Sequence, residues 1–317
     1  MKDLEKAIDN AKEFIFKGID KKGLFKDFKT NNHKESVDWV SAYIALNLLK
    51  SGVKKSLLED TAKSLYARQN KTLRGWGYNE LIVPDADSTA YVIMFLSNFS
   101  YKLQKAKGFL LQHQKSNGSF STYTHNLINT YAESNEAWKH RIENETFKGW
   151  HSGIVDITAT LIQAIGYEQK TIQYIKENQT KEGFWRSYWY NDDVYATFQS
   201  INALRPHGFF EEIKQAQNWL SEKESKNPFY LALIMQGLMI NGNYKEKIDF
   251  EIKNLVQTQQ TDGSWSADPI LRFPSPDNLV PWNDTSRWRE DIKDQNRLFT
   301  TSTCLKTLFD YKRNYIC

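Results

Sequence analysis

The sequence predicts an all-α fold, an (α/α)6 toroid of about twelve helices in inner and outer rings. Three observations carry that expectation. A turn of the form Gln-x-x-(Asp/Glu/Asn)-Gly-x-aromatic recurs at 114–120, 179–185 and 259–265, with a looser copy at 69–76. A polar helix start follows each turn: Asp87-Ser88-Thr89-Ala90, Asp156-Ile157-Thr158-Ala159 and Asp193-Val194-Tyr195-Ala196, with weaker copies at 39–42 and 301–304. The helices opened by these starts are apolar nearly all round, whereas their partners carry many Lys and Glu residues.

The turn has a direct physical reading. Glycine supplies the positive backbone angle that ends a helix. Glutamine can bond free backbone groups there, and the aromatic ring packs back over the turn and fixes the exit direction. An Asp at the next helix start caps free amides and complements the helix dipole.

Helical periodicity places segments near 3–17, 36–50, 55–69, 88–99, 101–114, 154–165, 168–178, 193–204, 210–222, 228–240, 246–260 and 300–311. The turn after the first, Lys22-Gly23-Leu24-Phe25, keeps only the glycine and the aromatic. Asn227-Pro228 marks a clean start, with Asn as cap and Pro at the first helical position. Its turn has lost the glycine-aromatic signature. Ser119 to Tyr123 and Trp185 to Tyr190 can extend locally, and no strong β region is expected. No Pro/Gly/Ser-rich linker divides the chain, so residues 1–317 read as one toroid domain.

The helices opening at 36, 88, 154, 193, 228 and 300 form the inner ring. They all run one way, so the loops entering them gather at one mouth. Those at 115–153 and 261–299 far exceed ordinary loop lengths, as functional loops do. Asp87, Asp156 and Asp193 gather at the same mouth, which is therefore the expected site.

Composition narrows the function classes. The net charge of +4 is mild and the basic residues are scattered, so no nucleic-acid partner is expected. Aromatics reach 14 %, which fits aromatic-lined surfaces or an aromatic repeat. Cys304 and Cys317 are the only cysteines; they fit a reducing compartment and a cytoplasmic protein. The start of the chain lacks a signal-peptide core, and no apolar run approaches a membrane span. No histidines pair at helical metal-ligand spacing and no phosphate loop occurs, so neither metal nor cofactor is expected.

The most informative stretch is 74–92. A glycine-aromatic turn, Gly75-Trp76-Gly77-Tyr78, leads to Pro84-Asp85-Ala86-Asp87-Ser88-Thr89-Ala90 and an apolar helix. Two carboxylates so close resist double ionisation, whereas a helix N-terminus favours the carboxylate. The bland reading makes Asp87 the cap of a helix beginning at Ser88.

The repeat and this motif together resemble the squalene–hopene cyclase superfamily, the protonation-initiated class II terpene cyclases. The order Gly-Trp, aromatic, Pro, acidic motif, Thr-Ala is that family's, and the 259–265 turn is similar to its Gln-x-x-Asp-Gly-x-Trp repeat. The resemblance implies alkene protonation by Asp87, with Asp85 and Ser88 setting its acidity, without a metal. It also implies cation–π stabilisation by Trp76, Tyr78, Trp150, Trp189 and Tyr195, with Asp156 and Asp193 nearby. Three departures stand out. The family's last motif Asp is Ser88, its supporting His is Thr160, and its second domain is absent. The implied partner is a small apolar or isoprenoid substrate. A homodimer, a partner subunit or a smaller substrate would close the pocket, and peripheral membrane contact is compatible with such a ligand. Two other readings stand beside this one. The first is a non-catalytic or partner-dependent toroid whose acidic motif only caps a helix. The second is a carbohydrate-acting toroid pairing Asp85 or Asp87 with Asp193. Arg74, Arg186 and Arg272 flank three turns, and Arg287, Trp288 and Arg289 mark a lid, an interface or an ordinary surface segment.

Overall fold

The chain alternates helices that bury one stripe with helices that bury almost their whole surface. The computed structural model describes residues 2–30, 34–132, 146–284 and 290–316. The segment with Arg287, Trp288 and Arg289 lies outside the described residues, as do His33, His140 and Cys317. The outer helices are α1 (Lys2–Lys17), α3 (Glu59–Ala67), α5 (Gln104–Leu111), α8 (Gln169–Glu177), α10 (Phe210–Ser221) and α12 (Lys245–Gln257). The inner helices are α2 (Asp38–Lys50), α4 (Ala86–Leu96), α7 (Val155–Ile165), α9 (Val194–Leu204), α11 (Pro228–Leu238) and α13 (Leu298–Tyr315). Among the described residues a further helix, α6 (His125–Ala132), sits in the long connection before α7.

Each inner helix packs on the next, and α13 packs back on α2 and on α1, which closes the ring. α11 buries every residue except Gln236, and α4 buries every residue except Asp87 and Met94. Such all-round burial requires neighbours on every side. On α4 the two openings lie at opposite ends of the barrel.

The turns explain the repeat atom by atom. The indole N–H of Trp76, Trp185 and Trp265 donates to the Leu65, Ile175 and Leu255 carbonyls of the preceding outer helix, at 2.7, 2.6 and 2.7 Å. These carbonyls are among those a helix end leaves free. The Gln179 amide donates to Gly183 and to Glu212 of the next outer helix, and Gln259 does the same to Gly263 and to Ala7 of α1. The turn aromatic's backbone N–H donates to a hydroxyl on the next inner helix. The pairs are Phe25 with Ser41, Trp76 with Thr89, Phe120 with Thr158, Trp185 with Thr197 and Trp265 with Thr301.

This hydroxyl is the recurring element of the helix start. It also corrects one alignment in the sequence reading. Thr197, not Tyr195, corresponds to Thr89, so Asp193 corresponds to Asp85 and Tyr195 to Asp87.

Two short antiparallel pairs join β1 (Asp27–Thr30) to β2 (Lys34–Ser36) and β3 (Leu271–Phe273) to β4 (Glu290–Ile292). Neither was expected, because strands this short carry no alternating pattern to read. β3 is held over the mouth by Arg272 N–H to Trp189 O at 2.8 Å and by Asn191 N–H to Ile270 O at 2.9 Å. Its continuation is pinned by Gly149 N–H to Pro276 O at 2.8 Å and Tyr188 Oη to Asn278 O at 2.7 Å. Among the described residues no helix is long and apolar enough to cross a membrane.

Candidate active site

The helix start at the mouth of α4 separates capping from the open carboxyl. The helix begins at Ala86, two residues earlier than expected, and Asp85, not Asp87, is its cap. Asp85 Oδ1 accepts the Ser88 backbone N–H at 2.7 Å, and Oδ2 accepts the Ser88 hydroxyl at 2.9 Å. Asp85 is buried, whereas Asp87, in the first turn, keeps partial exposure. The two carboxyls share a hydrogen bond. Burial and then the Asp87 charge push Asp85 well above the usual carboxylate range. Burial also raises Asp87, against the Asp85 hydrogen bond and first-turn backbone N–H groups. The pair therefore retains a proton at pH values where a solvated carboxylate has lost it, and it titrates as one unit.

Asp85, Asp87 and Ser88 line a cavity of about 80 Å³ beneath β3. Its walls are aromatic. Trp150 and Trp189 lie 5.6 Å apart, Trp189 and Phe273 5.8 Å, and Tyr78 and Phe273 6.3 Å between centroids. Tyr190 and Arg272 complete one side. The Trp189 indole N–H is fixed by Thr122 Oγ1 at 2.8 Å. Two larger cavities, about 750 Å³ beside α1 and about 540 Å³ at the far end of the barrel, contain neither motif carboxylate.

The expected residues divide into two groups. Tyr78, Trp150 and Trp189 line the cavity with Asp85, Asp87 and Ser88. Trp76 does not: its ring is consumed by the turn and its indole by Leu65. Tyr195 stands one layer behind, stacked on Tyr190 at 3.4 Å. Asp156 is buried behind the wall. It accepts the backbone N–H groups of Tyr188 and Trp189 at 2.9 and 3.5 Å, which holds Trp189 in place. Burial, together with the smaller effect of the Asp87 charge, raises the Asp156 carboxyl to about 6 against these bonds. Asp193 is spent on the turn: it accepts Ser187 N–H at 2.9 Å and pairs with Arg186 at 2.7 Å. Of the three flanking arginines, Arg272 alone reaches the cavity.

Other lining residues escaped the sequence reading. Trp39 sits two residues before Ser41 as Asp87 sits two before Thr89; the weaker copy at 39–42 already set it opposite Asp87 but was read only as a helix start. Leu271 and Phe273 arrive from a connection without periodicity, and no sequence signal places them. The structure also brings His125 and His151 together, Nε2 to Nδ1 at 3.0 Å. Among the described residues no group of three or more His, Cys, Asp or Glu could hold a metal ion.

Fold and site together define an (α/α)6 toroid with a carboxyl pair at its mouth. The family model of the squalene-hopene cyclase C-terminal domain matches residues 59–230, more than half of the chain, and the protein belongs to that family. A variant of the type II terpene cyclase MstE from Scytonema, in complex with geranylgeranyl dihydroxybenzoate, is similar with a TM-score of 0.87 and 23 % identity, over 98 % of this chain and 97 % of that one. An ent-copalyl diphosphate synthase from Streptomyces platensis is similar with a TM-score of 0.59 and 15 % identity, over 86 % of this chain and 50 % of that one. A Salegentibacter α-1,6-mannanase variant shares the fold with a TM-score of 0.53 and 12 % identity, over 97 % and 98 % of the two chains. No curated protein matches the sequence.

Proposed function

We propose that the protein is a class II terpene-cyclase-like enzyme in which Asp87 protonates an alkene of an isoprenoid or similar apolar substrate. The observation that carries this reading is the division of labour in the pair. Both Asp85 oxygens are engaged by Ser88, while Asp87 faces an aromatic cavity. Asp85 is pushed higher and keeps its proton, whereas the Asp85 hydrogen bond and the first-turn backbone N–H groups favour the charged form of Asp87. Asp87 is therefore the stronger acid of the pair and holds the negative charge that proton transfer leaves. Ser88 performs the task of the family's third motif carboxylate by donating twice to Asp85.

Once the alkene is protonated, the positive charge lies among the faces of Trp39, Tyr78, Trp150 and Trp189, which stabilise it without trapping it. The same dry walls keep water from quenching it. Ligand cavities usually exceed about 300 Å³, so a polyprenyl chain requires the β3 roof to lift from its present, narrow arrangement. The acid step needs no metal. The carbohydrate reading has less support, because Asp193 is tied to Arg186 and faces no partner carboxylate across the cavity.

The test is incubation with linear isoprenoids and their diphosphates, with and without a chelator, beside Asp87→Asn. Cyclised product from the wild type, unchanged by the chelator and reduced about a hundredfold or more in the variant, is the expected result. An equally active variant, or no product from any substrate, overturns the proposal.

A further inference from the structure

A layer of buried tyrosines separates the acid cavity from the opposite end of the barrel, and the acid step does not use it. Tyr190 lines the acid cavity. Its ring stacks on Tyr195 at 3.4 Å, with an interplanar angle of 11°, which brings the two hydroxyls close enough to interact. Tyr195 Oη lies 2.7 Å from Tyr91 Oη. Tyr91 in turn accepts the Gln199 amide at 3.0 Å and lines the far crevice of about 540 Å³. Lys50, Arg205 and Arg313 are exposed along that crevice, so it is open to solvent. Three hydroxyls thus join the acid cavity to the other face of the protein.

Resting on the cyclase reading, we propose that Tyr190 is the base that ends the reaction and that Tyr195 and Tyr91 carry the released proton to the far crevice. A C–H bond beside the final cationic carbon breaks, and its electron pair becomes the new C=C. The proton bonds to Tyr190 Oη. The Tyr190 hydroxyl proton passes to Tyr195, that of Tyr195 to Tyr91, and that of Tyr91 to solvent water in the crevice. Each oxygen gains one proton and loses one, and nothing is oxidised or reduced.

The chain is what makes a tyrosine suitable. A protonated phenol is a very strong acid and cannot hold the added proton, so a buried tyrosine accepts one only if it releases its own at once. Burial pushes all three hydroxyls well above their ordinary value, so each stays neutral and is both donor and acceptor.

The test compares product distributions for Tyr190→Phe, Tyr195→Phe and Tyr91→Phe, with Tyr43→Phe as control. Tyr43 touches Tyr91 edge-on, but its hydroxyl bonds Thr303 at 2.9 Å and stands off the chain. Tyr190→Phe is expected to shift the ratio of the native alkene to isomeric or hydrated products by about tenfold, equivalent to about 1.4 kcal/mol in the branching barrier. Tyr195→Phe and Tyr91→Phe shift it the same way, and Tyr43→Phe leaves it unchanged. Wild-type product ratios from the Tyr190 and Tyr195 variants, or an equal shift from Tyr43→Phe, overturn the relay while leaving the acid role of Asp87 intact. A wild type that makes no product removes both. Should the Tyr190 variant fail to fold, Tyr195→Phe and Tyr91→Phe read the same relay from behind the cavity.

Discussion

Replacing Asp156 with Asn should change the sign of its effect on stability between acid and alkaline pH. The carboxyl is buried and accepts the backbone N–H groups of Ile157, Tyr188 and Trp189. Its pKa stands at about 6 against an ordinary value of 3.8. A carboxyl raised on folding contributes stability that is fully present below 3.8 and is lost as the pH climbs through about 6. At about 1.4 kcal/mol per pH unit, the difference is about 3 kcal/mol.

Asparagine cannot ionise, and its carbonyl still serves Tyr188 and Trp189, but its amide faces the Ile157 N–H at a cost of about 1 kcal/mol. Asp156→Asn should therefore be about 1 kcal/mol less stable than wild type near pH 3, about equal to it near pH 4.5, and about 2 kcal/mol more stable near pH 8. Urea unfolding at several pH values reads this directly. Apart from Asp87, whose charge acts on Asp156, the other buried carboxylates contribute equally to both proteins and cancel in the difference. A variant destabilised by the same amount across the range would show that burial does not strain Asp156, and the reasoning would fail.

Two further outcomes follow from the turns. Gly263 has φ +91°, and a Cβ there would lie 2.4 Å from the backbone oxygen of Asn10, so Gly263→Ala should loosen the docking of α1 that closes the ring. A loss of about 2 kcal/mol or more in thermal or denaturant unfolding is expected, and an unchanged midpoint would contradict it. Asp193→Ala should cost about 1–2 kcal/mol through the Ser187 N–H, the half-exposed Arg186 adding little. The products formed should stay the same; their loss would instead support paired carboxylates.

The acidic motif shows how the site was only half legible. Residue order alone put Asp85, Asp87 and Ser88 at the mouth of an inner helix, because the repeat fixes which helix ends share a face. It could not say which aspartate caps the helix, since both types suit the position and the choice depends on where the first turn begins. The aromatics divide for a similar reason. Trp76 and Trp150 look alike in sequence, yet one spends its indole on Leu65 in a turn while the other faces the cavity. Asp193 seemed a site carboxylate until the Thr197 hydroxyl set its register.

The sequence by itself determined the ring. Glycines at the helix ends, aromatics over them and hydroxyls at the next helix start are local devices, legible because they act within one repeat. Only the tertiary structure decided the cavity and what stands behind it. β3 reaches the mouth from a connection without periodicity, and Tyr91 comes from α4 whereas Tyr190 and Tyr195 stand just before and inside α9. Such contacts depend on ring closure, which brings distant residues together through geometry that no single stretch of sequence encodes.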